Sequence, residues 1–176
     1  DKLDINFCAG ERISLSGPNG AGKTTLMRCM LGQYTFDGKL LVSGKSPRKN
    51  HEEIMKNIGF VPQVPPPLKM TIKELIDFFS RLTGTPKENF TGIGEELGLE
   101  VSSNYKKPFY KLSGGMKQKL LVAFALGRNP DILLMDEPAA NLDPEAREVF
   151  FKYLGNYKND ALMILCSHRM SEIAGL

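Results

Sequence analysis

A glycine-rich segment near the beginning of the chain has the residue types and spacing of a phosphate-binding loop (P-loop). It matches the pattern G-x-x-x-x-G-K-[ST], and its residues are Gly17, Pro18, Asn19, Gly20, Ala21, Gly22, Lys23, Thr24 and Thr25. The glycines let backbone N–H groups turn toward phosphate oxygens, and the helix predicted to follow presents the positive end of its dipole to them. Lys23 can reach the β- and γ-phosphates, and Thr24 places a hydroxyl where Mg²⁺ needs an oxygen ligand. The segment predicts binding of a nucleoside triphosphate.

Two carboxylates follow a short apolar run later in the chain. Residues 132–135 are Ile, Leu, Leu and Met, and Asp136 and Glu137 come next. The run predicts a buried strand, and ligands in open α/β sheets bind beyond the C-terminal ends of the strands. Asp136 would hold Mg²⁺, directly or through water, and Glu137 would polarise the attacking water as a general base. Such an acidic strand end is ordinary by itself, and the P-loop earlier in the chain favours the catalytic interpretation.

A second glycine pair stands at the predicted start of another helix. Leu112 and Ser113 precede Gly114 and Gly115 there. Ser113 can cap the helix, and the glycines leave backbone N–H groups free to approach an anion. The segment is therefore either a second phosphate-binding helix start or a plain capped helix.

Short apolar runs and helical patterns alternate along the chain and must position these groups. Strands are predicted over residues 5–7, 13–16, 40–42, 58–61, 132–135 and 161–166. Helices are predicted over residues 21–31, 51–56, 71–82, 88–99, 115–126 and 144–153, and Ser171 is a candidate cap for a last one. The alternation predicts an α/β fold with a mostly parallel sheet.

The stretch 64–111 differs from the rest of the chain in composition and in predicted secondary structure. It opens with Pro65, Pro66 and Pro67, contains no convincing strand, and is expected to be loop over residues 101–110. We therefore expect a single nucleotide-binding domain over residues 1–176. Its core would comprise residues 1–63 and 112–176, with a helical subdomain over residues 64–111.

Composition excludes several classes of protein. Hydrophobic residues make up 41% and charged residues 24% of the 176 residues, which is typical of a globular domain. No apolar run approaches the roughly 20 residues that span a bilayer. Cys8, Cys29 and Cys166 have neither disulfide-frame nor metal-finger spacing, which favours a reducing cytoplasm over secretion.

The net charge of +3 is too small to predict nucleic-acid binding, and no nucleic-acid partner is expected. Local basic residues are interpreted as a solvated face; they are Lys106, Lys107, Lys111, Lys117 and Lys119.

Taken in order, these motifs resemble the ATP-binding-cassette (ABC) ATPase domain. The resemblance rests on residues 17–25, Gln63, residues 112–118, the pair Asp136 and Glu137, and His168. It implies a P-loop NTPase fold with a RecA-like core, a helical subdomain and a small N-terminal β part. The implied ligands are ATP and Mg²⁺, and the implied reaction is hydrolysis of ATP.

The resemblance also implies partners. Two nucleotide-binding domains would pair head to tail, so that Ser113, Gly114 and Gly115 contact nucleotide held by the P-loop of the second domain. Gln63 would touch Mg²⁺ or the attacking water and report to an integral-membrane permease. His168 would contact the γ-phosphate, and residues 141–143 would form the D-loop at the dimer interface. The expected location is the cytoplasmic face of the cell membrane.

Three features depart from the family pattern. No aromatic residue stands far enough ahead of Gly17 to stack on adenine, so that residue is expected outside this chain. Ala139 replaces the Ser or Thr of many members, a change expected to be mild. The chain also stops soon after His168, which predicts a fragment of a larger domain.

Finer placement and alternatives follow from the same motifs. Residues 70–75 and 112–121 are most similar to ATPases of ABC-2 type exporters. A soluble ABC ATPase acting on nucleic acid or ribosomes is the alternative, although neither a tandem cassette nor a coiled-coil insert is present in these residues. A kinase is disfavoured by the segment 112–118, and a GTPase by the missing Asn-Lys-x-Asp motif.

Overall fold

A parallel β-sheet forms the centre of the computed structural model, which describes residues 3–167. Within that range the sheet is four-stranded and its order is β1-β4-β3-β2, with every neighbouring pair parallel. The strands are β1 (Arg12–Leu15), β2 (Ile58–Val61), β3 (Ile132–Asp136) and β4 (Leu162–Cys166). Because all strands run the same way, their carboxyl ends lie at one edge of the sheet.

The central strands separate two hydrophobic cores. Both β3 and β4 are buried along their whole length, as expected of parallel strands that are covered on both faces. Successive β3 side chains alternate between the two cores: Leu133 and Met135 belong to one, and Ile132 and Leu134 to the other. This alternation follows the two-residue period of a strand.

Helices cover both faces of the sheet. The first two helices pack on the face of Leu134, through Met27 and Ile54. Later helices pack on the face of Leu133, through Phe90, Leu120 and Phe150. The helices are α1 (Lys23–Met30), α2 (His51–Lys56), α3 (Ile72–Thr83), α4 (Lys87–Glu96), α5 (Val101–Asn104), a 3₁₀ turn (Phe109–Lys111), α6 (Gly114–Gly127) and α7 (Pro144–Gly155).

The helix starts have clear side-chain causes. Thr71 and Glu74 form a capping box at α3, in which the Thr71 hydroxyl accepts from the Glu74 N–H and the Glu74 carboxylate accepts from the Thr71 N–H. Ser113 accepts from the Met116 N–H at 3.2 Å and caps α6. Asp143 accepts from the Ala146 N–H at 2.9 Å and caps α7. These caps confirm the predicted starts of the three helices within one residue.

The prediction of loop over residues 101–110 was wrong in part. This stretch contains α5 and the beginning of the 3₁₀ turn. Val101 is fully buried, and a Cβ added at Gly94 would lie 2.7 Å from its Cγ2 atom. A single helical turn held by such tertiary packing has no periodicity of its own, so the sequence pattern could not reveal it.

The predictions of strands over residues 5–7 and 40–42 were also wrong. The described residues before β1 contain no strand, and Leu3 and Ile5 are exposed. Around Val42 there is one isolated antiparallel bridge, to Lys45. Alternating apolar residues form a strand only beside a partner strand, and residues 3–167 offer none here. Within that range the expected small N-terminal β part is reduced to this bridge. No helix in the described part of the chain is long and apolar enough to cross a membrane.

Candidate functional site

The carboxyl edge of the sheet gathers most of the residues singled out in the sequence. The P-loop follows β1, Glu137 follows β3, and Gln63 lies two residues beyond β2. Neighbouring strands lie about 4.8 Å apart, and β4 separates β1 from β3. The ends of β1 and β3 are therefore about 10 Å apart at this edge.

Backbone geometry opens the P-loop toward solvent. Gly22 adopts the left-handed conformation with φ of 95° and immediately precedes α1. L-residues adopt this conformation at a cost, whereas glycine does so freely. The Leu26 N–H donates to the Gly22 carbonyl at 2.8 Å, so helical bonding begins at this glycine. The first N–H groups of α1 precede that bond and are available to an anion.

Lys23 folds back over its own loop. Its Nζ donates to the Gly17 carbonyl at 2.7 Å and to the Pro18 carbonyl at 3.1 Å. These two bonds hold the ammonium group above the loop. A phosphate oxygen can replace the carbonyls because a charge-assisted bond to a phosphate is the stronger interaction.

One hydrogen bond joins the P-loop to the acidic end of β3. The Thr24 hydroxyl donates to Asp136 Oδ2 at 2.6 Å. Asp136 is only 3% exposed, so its carboxylate is held almost entirely inside the protein. A hydroxyl and a carboxylate are the hard oxygen ligands that Mg²⁺ takes alongside phosphate oxygens and water. The pair therefore fits a magnesium ion.

Glu137 sits at a sharp change of backbone direction. Its φ is 51°, which is uncommon for a residue with a side chain. Its N–H donates to the Cys166 carbonyl at 2.9 Å, which extends the β3–β4 pairing by one bond, and its carbonyl accepts from the Ala140 N–H at 3.2 Å. Strained backbone of this kind collects at active sites because the surrounding structure enforces it.

Cys166 lies at the end of β4 beside Asp136. Burial raises the pKa of its thiol to about 12, and the neighbouring Asp136 carboxylate adds to the effect. The thiol is therefore neutral at physiological pH, so it places no second negative charge next to the carboxylate. Cys166 is fully buried and belongs to the core that Leu134 lines.

The glycine pair at α6 contacts the segment that follows Glu137. A Cβ added at Gly115 would lie 2.9 Å from the Asn141 carbonyl oxygen, so only glycine allows this approach. Gly114 also lies near the Asn141 side chain. The structure therefore brings Gly114 and Gly115 against Asn141 of the same chain.

The last predicted residues follow β2 or lie outside the described range. Gln63 is exposed in an irregular loop. His168 and Ser171 lie outside the described residues.

Two residues of α6 carry contacts that the sequence interpretation missed. Lys119 was assigned to a solvated face, and this was wrong: it is 9% exposed and donates to the Gly98 carbonyl and to Asp143. Gln118 is fully buried and donates to the Pro138 carbonyl at 2.9 Å. A helix that is apolar on nearly every side is enclosed, and this signal could have identified both residues as buried.

Comparison with known proteins adds a family model, curated relatives and solved structures. The family model described as ABC transporter matches residues 1–140. The ATP-binding cassette sub-family A member 2 of Homo sapiens is 34% identical over 176 residues, which cover 98% of this chain and 7% of that protein. The phosphate import ATP-binding protein PstB 1 of Enterococcus faecalis is 31% identical over 186 residues, which cover 97% of this chain and 74% of that protein.

The fold is shared with solved structures as well. A crystal structure described as a cobalt transport ATP-binding protein superposes with a TM-score of 0.81 at 27% identity. The superposition covers 96% of this chain and 62% of that one. The parallel sheet and its helices therefore form an α/β fold of the P-loop NTPase type. The chain spans only a small part of the human relative.

Proposed function

The chain belongs to the ABC transporter family, and from that premise we propose that it binds ATP with Mg²⁺ and hydrolyses it to drive a separate membrane permease. The observation that carries the proposal is the 2.6 Å hydrogen bond between Thr24 and Asp136. It brings together one oxygen ligand from the P-loop and one from the acidic strand end. The ammonium group of Lys23 lies over the same loop.

Mg²⁺ would be held by Thr24 and Asp136, with phosphate oxygens and water as its other ligands. When bound, the ion neutralises the charge that the phosphates carry and orients them. Within residues 3–167, no group of three or more His, Cys, Asp or Glu side chains is arranged to hold a metal ion.

The chain's own residues divide the chemistry of hydrolysis. Lys23 exchanges its bonds to Gly17 and Pro18 for bonds to the β- and γ-phosphate oxygens. Glu137 accepts a proton from the attacking water, whose oxygen forms the new bond to the γ-phosphorus. The bond from that phosphorus to the bridging oxygen breaks, and ADP leaves with the electron pair. Fixed donors stabilise the charge of the transition state by about 3 kcal/mol each.

A second nucleotide-binding domain completes each site in this proposal. The N–H groups at the start of α6, with Ser113, Gly114 and Gly115, would bind the nucleotide held by the other domain's P-loop. The bond from the Met116 N–H to the Ser113 hydroxyl supports an ordered helix start that can receive an anion. Gln63 would contact Mg²⁺ or the water, and His168 the γ-phosphate, as the family resemblance implies.

The permease would dock on the stretch 64–111, at the cytoplasmic face of the membrane. Large apolar side chains are exposed on this stretch and at its edges, which supports a protein partner there. They are Val64, Phe78, Leu82 and Tyr110. Residues 65–68 lie between the loop of Gln63 and α3, so a docked helix there could sense the state of the site.

The test uses one variant of the base and one of the P-loop. Glu137→Gln should bind ATP as the wild type does, hydrolyse it at less than about a hundredth of the rate, and accumulate ATP-bound dimers in sedimentation experiments. Lys23→Ala should lose tight ATP binding and therefore form no such dimers. Full turnover by Glu137→Gln would refute the role of Glu137, and unchanged ATP affinity in Lys23→Ala would refute the role of the P-loop.

The alternative, a soluble ATPase acting on nucleic acid or ribosomes, is not favoured by the comparisons, since the relatives described above are named as transporter components. Purification from cells discriminates between the two. A copurifying permease of the ABC-2 type would support the exporter placement, and an importer permease would refute that placement alone. Copurifying RNA or DNA without a permease would refute the transporter proposal.

A further inference from the structure

Three residues on one face of α6 hold the segment that follows Glu137. Gly115, Gln118 and Lys119 are spaced by three and four positions, so they share a helix face. We call this set the clasp face. The segment that it contacts consists of residues 137–143, which connect β3 to α7.

Each residue of the clasp face makes its own contact with residues 137–143. Gln118 Nε2 donates to the Pro138 carbonyl at 2.9 Å. Lys119 Nζ lies 2.6 Å from Asp143 Oδ2. The backbone of Gly115 approaches the Asn141 carbonyl so closely that a side chain would not fit. The helix start proposed to bind the second nucleotide is thus fastened to the turn that carries the proposed base.

The contact of Gln118 lies closest to Glu137. A carbonyl oxygen only accepts hydrogen bonds, so the side-chain nitrogen of Gln118 must be the atom that faces Pro138. The ring of Pro138 fixes the φ angle of that residue. A hydrogen bond that holds the Pro138 carbonyl therefore also limits the movement of the preceding residue, Glu137. On the other side, the Glu137 N–H is fixed by the Cys166 carbonyl. The left-handed backbone of Glu137 is therefore held from both directions.

The buried environment of Gln118 indicates that stability is not its purpose. Gln118 is fully buried, and its Oε1 has no hydrogen-bond partner within residues 3–167. Burying an unpartnered amide oxygen costs free energy that an apolar side chain of similar size would not. The amide is thus explained by its single bond to Pro138 rather than by a contribution to the core.

We infer that Gln118 is a positioning residue that fixes the backbone of Glu137 and thereby aims its carboxylate at the attacking water. This inference rests on the proposed function of Glu137 as the general base. It makes α6 a mechanical connection, since the same helix begins at the glycines that would contact the second nucleotide. A displacement of that helix start would reach the base through Gln118.

The experiment compares Gln118→Met with Gln33→Met, which makes the same chemical change outside the buried core. Methionine keeps the length and removes the donor. In Gln118→Met, kcat for ATP should fall about tenfold, which corresponds to about 1.4 kcal/mol, while KM stays within about twofold. The Gln33 variant should match the wild type. Combined with Glu137→Asp, Gln118→Met should cost less than it does alone, because both changes act on one group.

Hydrogen exchange provides a readout that does not depend on activity. Gln118→Met should speed amide exchange at Glu137 and Ala140 about tenfold without speeding exchange in α7. Unchanged exchange at these amides, or an unchanged kcat, would overturn the inference. Faster exchange along the whole chain with a lower melting temperature would show a merely structural role and would also overturn it. A wild-type chain that binds ATP without hydrolysing it would instead refute the proposed function, whatever the exchange data show.

Discussion

Thr24→Val is expected to destabilise the nucleotide-free chain because it removes the hydroxyl that donates a hydrogen bond to the Asp136 carboxylate. Valine keeps the branched shape of threonine and loses only the hydroxyl. The bond is short, at 2.6 Å, and Asp136 is 3% exposed, so water cannot readily replace the lost donor. Hydrogen bonds to charged groups contribute about 1.5–3 kcal/mol. We therefore expect the free energy of unfolding to fall by about 2 kcal/mol.

Urea denaturation without nucleotide and with a chelator measures this loss directly. For a chain of this length, about 1 kcal/mol shifts the melting temperature by about 2–4 °C, so Thr24→Val should melt about 4–8 °C lower. Thr24→Ser is the matched control, since it keeps the hydroxyl, and it should stay within about 1 kcal/mol of the wild type. In addition, Thr24→Val should weaken the Mg²⁺-dependent part of ATP binding, whereas Thr24→Ser should not.

A double-mutant cycle with Asp136→Asn isolates the contact itself. Because the amide introduced by this substitution carries no charge, removal of the Thr24 hydroxyl should cost about 1 kcal/mol less in that background. An unfolding free energy of Thr24→Val equal to that of the wild type, or strictly additive effects in the cycle, would show that the bond between Thr24 and Asp136 does not stabilise the fold.

Two further predictions concern helix caps. The bond from Lys119 holds the pKa of Asp143 below its usual range, so the pair stabilises the fold above about pH 4 and this contribution is lost as pH falls through the lowered pKa. Asp143→Asn keeps the cap of α7 and should lower the free energy of unfolding by only about 0.5 kcal/mol at about pH 7, because the Asp143 side chain is half exposed. In urea denaturation at about pH 3 the difference from the wild type should be smaller. An equal difference at both pH values would contradict this prediction. Thr71→Ala should cost about 1 kcal/mol through loss of the capping box, and Thr71→Ser much less, with no change in ATP affinity for either; a changed affinity would contradict the separation of this cap from the site.

The elements that position the site were largely predictable because they are locally determined. The helix over 51–56 and the strand over 58–61 appear as predicted. Residues 132–135 form the body of β3, since a run of four buried apolar residues between charged ones fits only a covered strand. The glycines of the P-loop were predicted to let the backbone turn toward phosphate oxygens, and Gly22 adopts the left-handed conformation there. The strand order β1-β4-β3-β2 did not follow, because it is set by crossover connections that leave no local pattern.

The contacts across α6 were beyond local sequence reasoning. The nearly all-apolar sequence of α6 could indicate that Gln118 and Lys119 are buried, but it could not indicate which residues they contact. Their partners, Pro138 and Asp143, lie beyond β3 in the chain, so the contacts exist only after the sheet has formed. Likewise, the apolar alternation around Ile5 could not show that no strand within residues 3–167 pairs with it. Residue types are visible in the sequence, whereas the topology decides which of them meet.

In the proposed mechanism each ATP-hydrolysing site is shared between two nucleotide-binding domains. The most direct test of this sharing is the ATPase rate per chain across a dilution series, with the dimer fraction measured by sedimentation in the same solutions. We expect the ATPase rate per chain to rise with concentration in proportion to the dimer fraction. A full rate in strictly monomeric solution would contradict it.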